Sequence, residues 1–274
     1  MKIFRASGKY IVVVLLSLFA IFPFFWMISC ALRKPSELIT LPPRMLPQFP
    51  TFENFSYVLT KTDMPVYFWN TIIVAGVATF MCLLVAVPAG YSIARHNYRG
   101  KNIVIVLILA SNMVPQASTL VPIYNALNTL NLIDNKFSLS YTHLLCMLPF
   151  AIMMISGFIK TIPKELEEAA MMDGCSKIGL IRRVIIPVAT PGIFATSMYA
   201  FMISWEEFLY SLTFTTGKAA RTISVGIDLF AAEYRVDWSS ILSSAVLMSL
   251  PILILFLLIQ DIFIKSAVGG AIKE

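Results

Sequence analysis

Residues 68–94 read FWNTIIVAGVATFMCLLVAVPAGYSIA, a run without one Asp, Glu, Lys or Arg, closed by Arg95. A helix needs about 20 apolar residues to cross a hydrocarbon core roughly 30 Å thick, so this run is long enough to span a bilayer. An ionised side chain at the bilayer centre costs about 2.5–3.5 kcal/mol, so missing charge is the signal to follow. Outward from this run, further apolar segments cover roughly 10–32, 103–125, 139–160, 186–210 and 241–264. Arg33-Lys34 closes the first of these and Lys160 the fourth span. The pattern predicts an all-α, polytopic membrane protein of about six transmembrane helices. No polar linker separates two apolar blocks, which predicts one transmembrane domain over 1–274.

Composition agrees. The 274 residues are 58% hydrophobic and 13% charged, whereas soluble domains carry about 25% charged residues. The net charge of +6 has two readings: an acidic partner such as nucleic acid, or basic residues gathered in cytoplasmic loops. If the N-terminus is cytoplasmic, 13 of the 21 Lys and Arg fall at the two ends and in the short inner segments 95–102 and 160–183. The longer outer loops hold the remaining eight. Both termini inside, and no nucleic-acid partner, is therefore the expectation. Lys2, Arg5 and Lys9 precede the first apolar run as in a secretory signal. That run exceeds the roughly 7–15 residues of a signal core, so an uncleaved first helix is expected. Cys30, Cys82, Cys146 and Cys175 form no CxxC pair and read as small core residues. The outer loop 33–67, with Pro35, Pro42, Pro43, Pro47 and Pro50, predicts an irregular external cap, and 211–240 reads as a polar surface loop. The triplet Asn54-Phe55-Ser56 matches a glycosylation acceptor by chance frequency alone.

The longest inner segment, 160–185, carries the functional signal. Pro163 suits a first helical turn, and Glu165, Glu167 and Glu168 follow where acidic groups meet the positive end of a helix dipole. Ala169 and Ala170 expose little side chain, and Asp173-Gly174 predicts a stop. Ser176 then caps a second helix with Ile178, Ile181 and Ile185 as an apolar stripe among Lys177, Arg182 and Arg183. Pro187 is expected to break that helix and open the next span. By geometry alone this is an interfacial helix pair on lipid headgroups or a docking surface for another protein.

Residue identity separates the two. Glu168-Ala169-Ala170, three residues, Gly174, nine residues, Val184, one residue and Ile186-Pro187 resembles the EAA motif of ABC importer permeases. Val184 stands where that pattern has Ile, and Ile186 where it has Leu. The basic N-terminus, six spans and Gly269-Gly270-Ala271-Ile272-Lys273 tail resemble MalG-like permeases of the carbohydrate-uptake family. Trp205-Glu206-Glu207-Phe208 matches that family's Trp-Asn-acid-aromatic stretch, with Glu206 in the Asn position. The resemblance implies a permease subunit of an ATP-driven sugar importer in a bacterial inner membrane. It implies as partners a second homologous permease, a dimer of cytoplasmic ATPase subunits, an extracytoplasmic solute-binding protein and the sugar. It makes 160–185 a coupling loop, with Glu167, Glu168, Ala169, Ala170, Asp173, Gly174, Lys177, Arg182 and Pro187 at the ATPase joint.

No GxxxxGK[ST] phosphate loop occurs. The expectation is that this chain binds no cofactor and that ATP and Mg²⁺ are held by the partner ATPase. Asn112 and Gln116, four apart beside Pro115 and Pro122, are candidates for the translocation path, with Trp205 and Glu206. Helix–helix hydrogen bonding is the other reading for Asn112 and Gln116, and an aromatic belt the other for Trp205. His143 reads as a satisfied interhelical polar group, and Asp261 lies near the inner end of the last span. A secondary carrier calls for paired ionisable groups at mid-membrane, and an embedded enzyme for a nucleophile–base or metal set. Paired ionisable groups at mid-membrane are not evident, and two histidines with neither HExxH nor CxxC give an enzyme weak support, so a self-sufficient secondary carrier stays as the lesser alternative. A polyol or glycerol phosphate is the alternative cargo.

Overall fold

A computed structural model describes the backbone of residues 2–232 and 236–271 and the side chains of residues 9–231, 236–257 and 260. The side chain of Asp261 and the tail residues Ile272, Lys273 and Glu274 lie outside the described residues. Among those described, every regular element is helical. In order they are α1 (Lys2–Ala31), α2 (Pro35–Leu38), α3 (Glu53–Lys61), α4 (Met64–Arg95), α5 (Lys101–Ser111), α6 (Gln116–Thr129) and α7 (Lys136–Lys160). There follow α8 (Glu165–Met172), α9 (Lys177–Leu180), one π-helical turn at Ile181–Ile185, and α10 (Ile186–Val188). The last are α11 (Thr190–Glu206), α12 (Leu209–Phe214), α13 (Ile223–Ala232) and α14 (Trp238–Ala271). The chain divides into two compact units, Met1–Pro65 with Gly226–Leu253, and Val66–Val225 with Ile254–Glu274.

Among the described residues, four helices are long and apolar enough to span a bilayer unbroken: Lys9–Ala31, Met64–Arg95, Lys136–Lys160 and Trp238–Leu257. The other two expected spans are bent. In place of a straight helix over 103–125, α5 and α6 meet at 93°. Pro115 lacks the N–H that would continue the ladder and disfavours helical geometry in the residue before it. The chain over Asn112–Val114 tightens instead into i→i+3 bonds, Asn112 N–H to Leu109 O at 3.2 Å and Met113 N–H to Ala110 O at 3.0 Å. The expected 186–210 helix begins at Thr190, after an 80° bend from Lys177–Val188. Pro187 does not make this break. The π turn before it widens the ladder, with Ile186 N–H bonded to Ile181 O, so that the helix absorbs the proline. The chain turns at Ala189 instead.

In the first unit, the C-terminal end of α1 is capped by Asn54, whose amide donates to Ala31 O at 2.8 Å and Arg33 O at 2.7 Å. Asn54 is buried. Arg33 donates to Ser29 Oγ at 3.0 Å and to Arg44 O, and stacks 5.0 Å from the Trp26 ring. The segment 39–52 is irregular, as its prolines predict, and α3 is an addition to that expectation.

The core of the second unit is a four-residue repeat on two helices. Ala78, Cys82 and Ala86 of α4 and Met147, Ala151, Ile155 and Ile159 of α7 are buried in one cluster. Small residues let helices approach closely where lipid supplies no hydrophobic drive. At Gly90 an added Cβ would lie 2.7 Å from Ile155 Cγ2, and at Gly192 of α11 it would lie 2.3 Å from Phe158 Cγ. Helices α7 and α11 run antiparallel, since Phe158 meets Gly192 while His143 meets Ser204. The reading of 211–240 as a surface loop is corrected over its first half. Thr215, Ala220, Thr222, Ile223 and Val225 are buried. Asn70 donates to Lys218 O at 3.0 Å and Arg221 O at 2.9 Å, and Thr71 Oγ1 accepts from Ile223 N–H at 2.8 Å. Polar groups inside a membrane protein bind backbone that would otherwise be unsatisfied.

Candidate functional site

The α8–α9 elbow leaves the end of α7 through Thr161–Lys164. Its first helix starts with Glu167 and Glu168 N–H groups on Lys164 O, at 2.9 and 3.0 Å. It stops in a Schellman motif. Cys175 N–H reaches Ala170 O and Gly174 N–H reaches Met171 O, each at 3.0 Å, with Gly174 at φ 83°. Glycine is favoured there because a Cβ costs roughly 1–2 kcal/mol in left-handed backbone. Ser176 caps α9, its Oγ accepting from Gly179 N–H at 3.2 Å.

The elbow has two faces. Glu167 turns inward and is buried, bonded to Arg95 Nε at the end of α4 and receiving Tyr91 Oη–H at 3.1 Å. Arg95 Nη2 also donates to Ile162 O at 2.6 Å. Ala170, Leu180 and Ile185 are buried with it. The outer face carries Glu168, Ala169, Asp173, Gly174, Lys177, Arg182 and Pro187, all exposed. Between them stand apolar side chains open to the outside: Leu166, Met172 at 88% exposure and Ile178 at 69%. The predicted stripe of Ile178, Ile181 and Ile185 is thus split, because the π turn rotates the last member into the core while Ile178 faces out. Met172 and Leu166 escaped sequence reasoning, since an apolar residue in a short helix gives no sign of which face it occupies.

About 22 Å along α7 from Phe158, at 1.5 Å per residue, His143 belongs to a buried polar knot. The chain breaks at Glu207, φ −62° and ψ 127°, between α11 and α12. The Glu207 carboxylate accepts from Tyr210 N–H at 2.6 Å, Ser211 N–H at 3.0 Å and Ser211 Oγ–H at 3.0 Å. It also receives Gln116 Nε2–H at 2.8 Å, and His143 Nε2 lies 3.0 Å away. His143 Nδ1 contacts Ser204 Oγ at 2.7 Å. His143 is 0% and Glu207 8% exposed. His143 thus sits among hydrogen-bond partners, in keeping with its reading as an interhelical polar group.

Beside the knot opens a cleft of about 830 Å³ whose lining includes Asn112, Gln116, Thr119, Cys146, Pro149 and Tyr210. Asn112 and Gln116 do not share one helix face as their spacing suggests. They flank the bend between α5 and α6, and both line the cleft. Trp205 is corrected from the path to the core: it is 1% exposed, stacked on Phe201 at 5.5 Å and edge-on to Phe68 at 5.8 Å. Glu206 is exposed and lies outside the lining, and its neighbour Glu207 is the buried acid. Among the described residues, no group of three or more His, Cys, Asp or Glu is placed to hold a metal ion.

A family model described as "binding-protein-dependent transport system inner membrane component" matches residues 86–268. The chain is 31% identical over 270 residues, 97% of its length and 95% of the relative's, to the sulfoquinovosyl glycerol transport system permease protein SmoH of Agrobacterium fabrum. It is 29% identical over 263 residues, 95% and 94% of the two chains, to the trehalose/maltose transport system permease protein MalG of Thermococcus litoralis. In fold it is similar to a chain of a bacterial ABC transporter involved in import of the acidic polysaccharide alginate, with TM-score 0.80, 19% identity and coverage of 95% and 96%.

Proposed function

Since the chain belongs to the family of binding-protein-dependent transport system inner membrane components, we propose that it is the permease subunit that couples a partner ATPase to the import of a sugar. It is a non-catalytic subunit of an ABC transporter, and ATP hydrolysis belongs to a separate partner. The single observation that carries the coupling assignment is the two-faced elbow. Its outer face presents Glu168, Ala169, Met172, Lys177, Ile178 and Arg182 to a docking protein. Its inner face is tied through Glu167 to Arg95 and so to α4, and through the π turn to α11. Displacement of the elbow is then transmitted to two spanning helices as rigid-body motion.

In this reading Glu167 and Ala170 position the elbow, and Asp173, Gly174 and Pro187 shape it. Residues 1–274 act as one transport domain with both termini in the cytoplasm, facing the ATPase dimer that holds ATP and Mg²⁺. A second, homologous permease completes the pathway, and an extracytoplasmic solute-binding protein delivers the solute. Asn112 and Gln116 lie on the path. The cargoes for which the relatives are named, trehalose/maltose and sulfoquinovosyl glycerol, support a sugar or sugar-like cargo over a simple polyol or glycerol phosphate.

The test is uncoupling. Glu168→Lys reverses a charge on the docking face, and Gly174→Asp strains the left-handed corner. Each is expected to reduce solute uptake about tenfold or more, the effect of losing about 1.4 kcal/mol at the joint, with the subunit still in the membrane fraction. Unchanged uptake in both variants would remove the coupling assignment.

A further inference from the structure

The hydrogen bonds around the cleft run in one direction. Ser111 gives its hydroxyl proton to Ile108 O at 2.7 Å. Thr119 gives its proton to Gln116 O at 2.7 Å, so at its 2.6 Å contact with Tyr210 Oη the phenol is the donor. Gln116 must turn its amide N–H toward Glu207, because a carboxylate only accepts. Every one of these four residues lines the cleft. With those protons committed to the protein, Ser111, Thr119, Tyr210 and the Gln116 carbonyl face the cleft as acceptors, against the one remaining Gln116 N–H. Asn112, which carries both donors and an acceptor, adds to either side equally. The lining residues include no Asp, Glu, Lys, Arg or His.

Glu207 sets this polarity without touching a solute. A carboxylate has about four lone-pair sites. Here four donors, from Gln116, Tyr210 and Ser211, fill them, and His143 Nε2 lies 3.0 Å away. It has no capacity left, and it is absent from the lining. It orients the Gln116 amide, and by capping α12 it places Tyr210.

We propose that this cleft is an acceptor-lined binding site for hydroxyl-rich solutes without negative charge, and that Glu207 is its positioning residue. The proposal rests on the permease reading and deepens it by naming the solute class. A neutral sugar brings O–H donors to facing acceptors. A carboxylate or phosphate brings lone pairs to lone pairs and meets no cationic side chain among the lining residues.

The importer, assembled in proteoliposomes with its ATPase, second permease and binding protein, distinguishes the outcomes. Probes are maltose and trehalose against glycerol 3-phosphate and an alginate pentasaccharide. The expected result is uptake of a neutral sugar and exclusion of both anions. Gln116→Met and Tyr210→Phe are expected to raise the half-saturating sugar concentration about threefold to tenfold, the effect of one lost neutral hydrogen bond, with the maximal rate little changed. Tyr210→Phe keeps the ring stacked on Phe214 and guards against a folding defect at Gln116. Glu207→Gln allows the Gln116 amide to reverse, and it is expected to lose the discrimination against glycerol 3-phosphate, which a purely structural defect would not do. Preferred uptake of either anion by the unaltered importer, or unchanged half-saturation in both lining variants, overturns the proposal. A complete importer that moves solute without ATP would instead overturn the permease reading.

Discussion

The elbow and the polar knot, at opposite ends of the antiparallel α7–α11 pair, solve opposite problems. The elbow buries one ion pair, Glu167 with Arg95, beside Ala170, Leu180 and Ile185, and leaves Leu166, Met172 and Ile178 exposed. The knot buries an acid, an imidazole and several hydroxyls and satisfies them with one another. Covering the exposed Met172 and Ile178 would lower their free energy, in keeping with the docking role proposed for this face. The knot has nothing further to gain from a protein partner. The physical lesson is that a surface built for docking leaves apolar area open, whereas a built interior joint saturates its polar atoms.

Three substitutions probe that contrast. The largest effect is expected at the knot. Glu207→Ala strips the partner from two backbone N–H groups, Gln116 and His143 at once. Each orphaned buried group costs about 1–3 kcal/mol, so the variant is expected to lose thermal unfolding cooperativity and to fail to assemble, read by copurification with its partners. Next is Arg95→Ala, which leaves Glu167 buried without its cation. Breaking a buried pair costs about 3–5 kcal/mol, expected as a lowered unfolding midpoint with proteolytic cuts appearing within 161–176. The smallest effect on stability is expected for Met172→Ser, on the open face. It should stay within about 0.5 kcal/mol of the parent in unfolding while weakening ATPase binding in a copurification titration. If Met172→Ser destabilised the isolated chain as much as Arg95→Ala, the distinction between the two faces would collapse.

The family signature was legible because it is a spacing. Glu168-Ala169-Ala170 through Gly174 to Pro187 is readable without coordinates, and the glycine corner follows from the demand for left-handed backbone at residue 174. Orientation of the elbow was not legible. Glu167 and Glu168 are adjacent and chemically alike, yet one faces Arg95 and the other faces out. Trp205 misled for a similar reason: an aromatic near a span's end suits a belt, a sugar or a core, and only Phe68 and Phe201 decide among them. His143 and Glu207 lie 64 positions apart, and no local pattern pairs them.

The sequence by itself determined that this chain lives in a membrane as helices, how many apolar segments it has and where the coupling motif lies. Those properties depend on hydrophobicity, charge and spacing, which are local. Tertiary structure alone decided which acid is buried and which side chains the cleft brings together. Those depend on which backbone and side-chain groups meet across large sequence separations, where an unpaired polar atom costs more than any local preference returns.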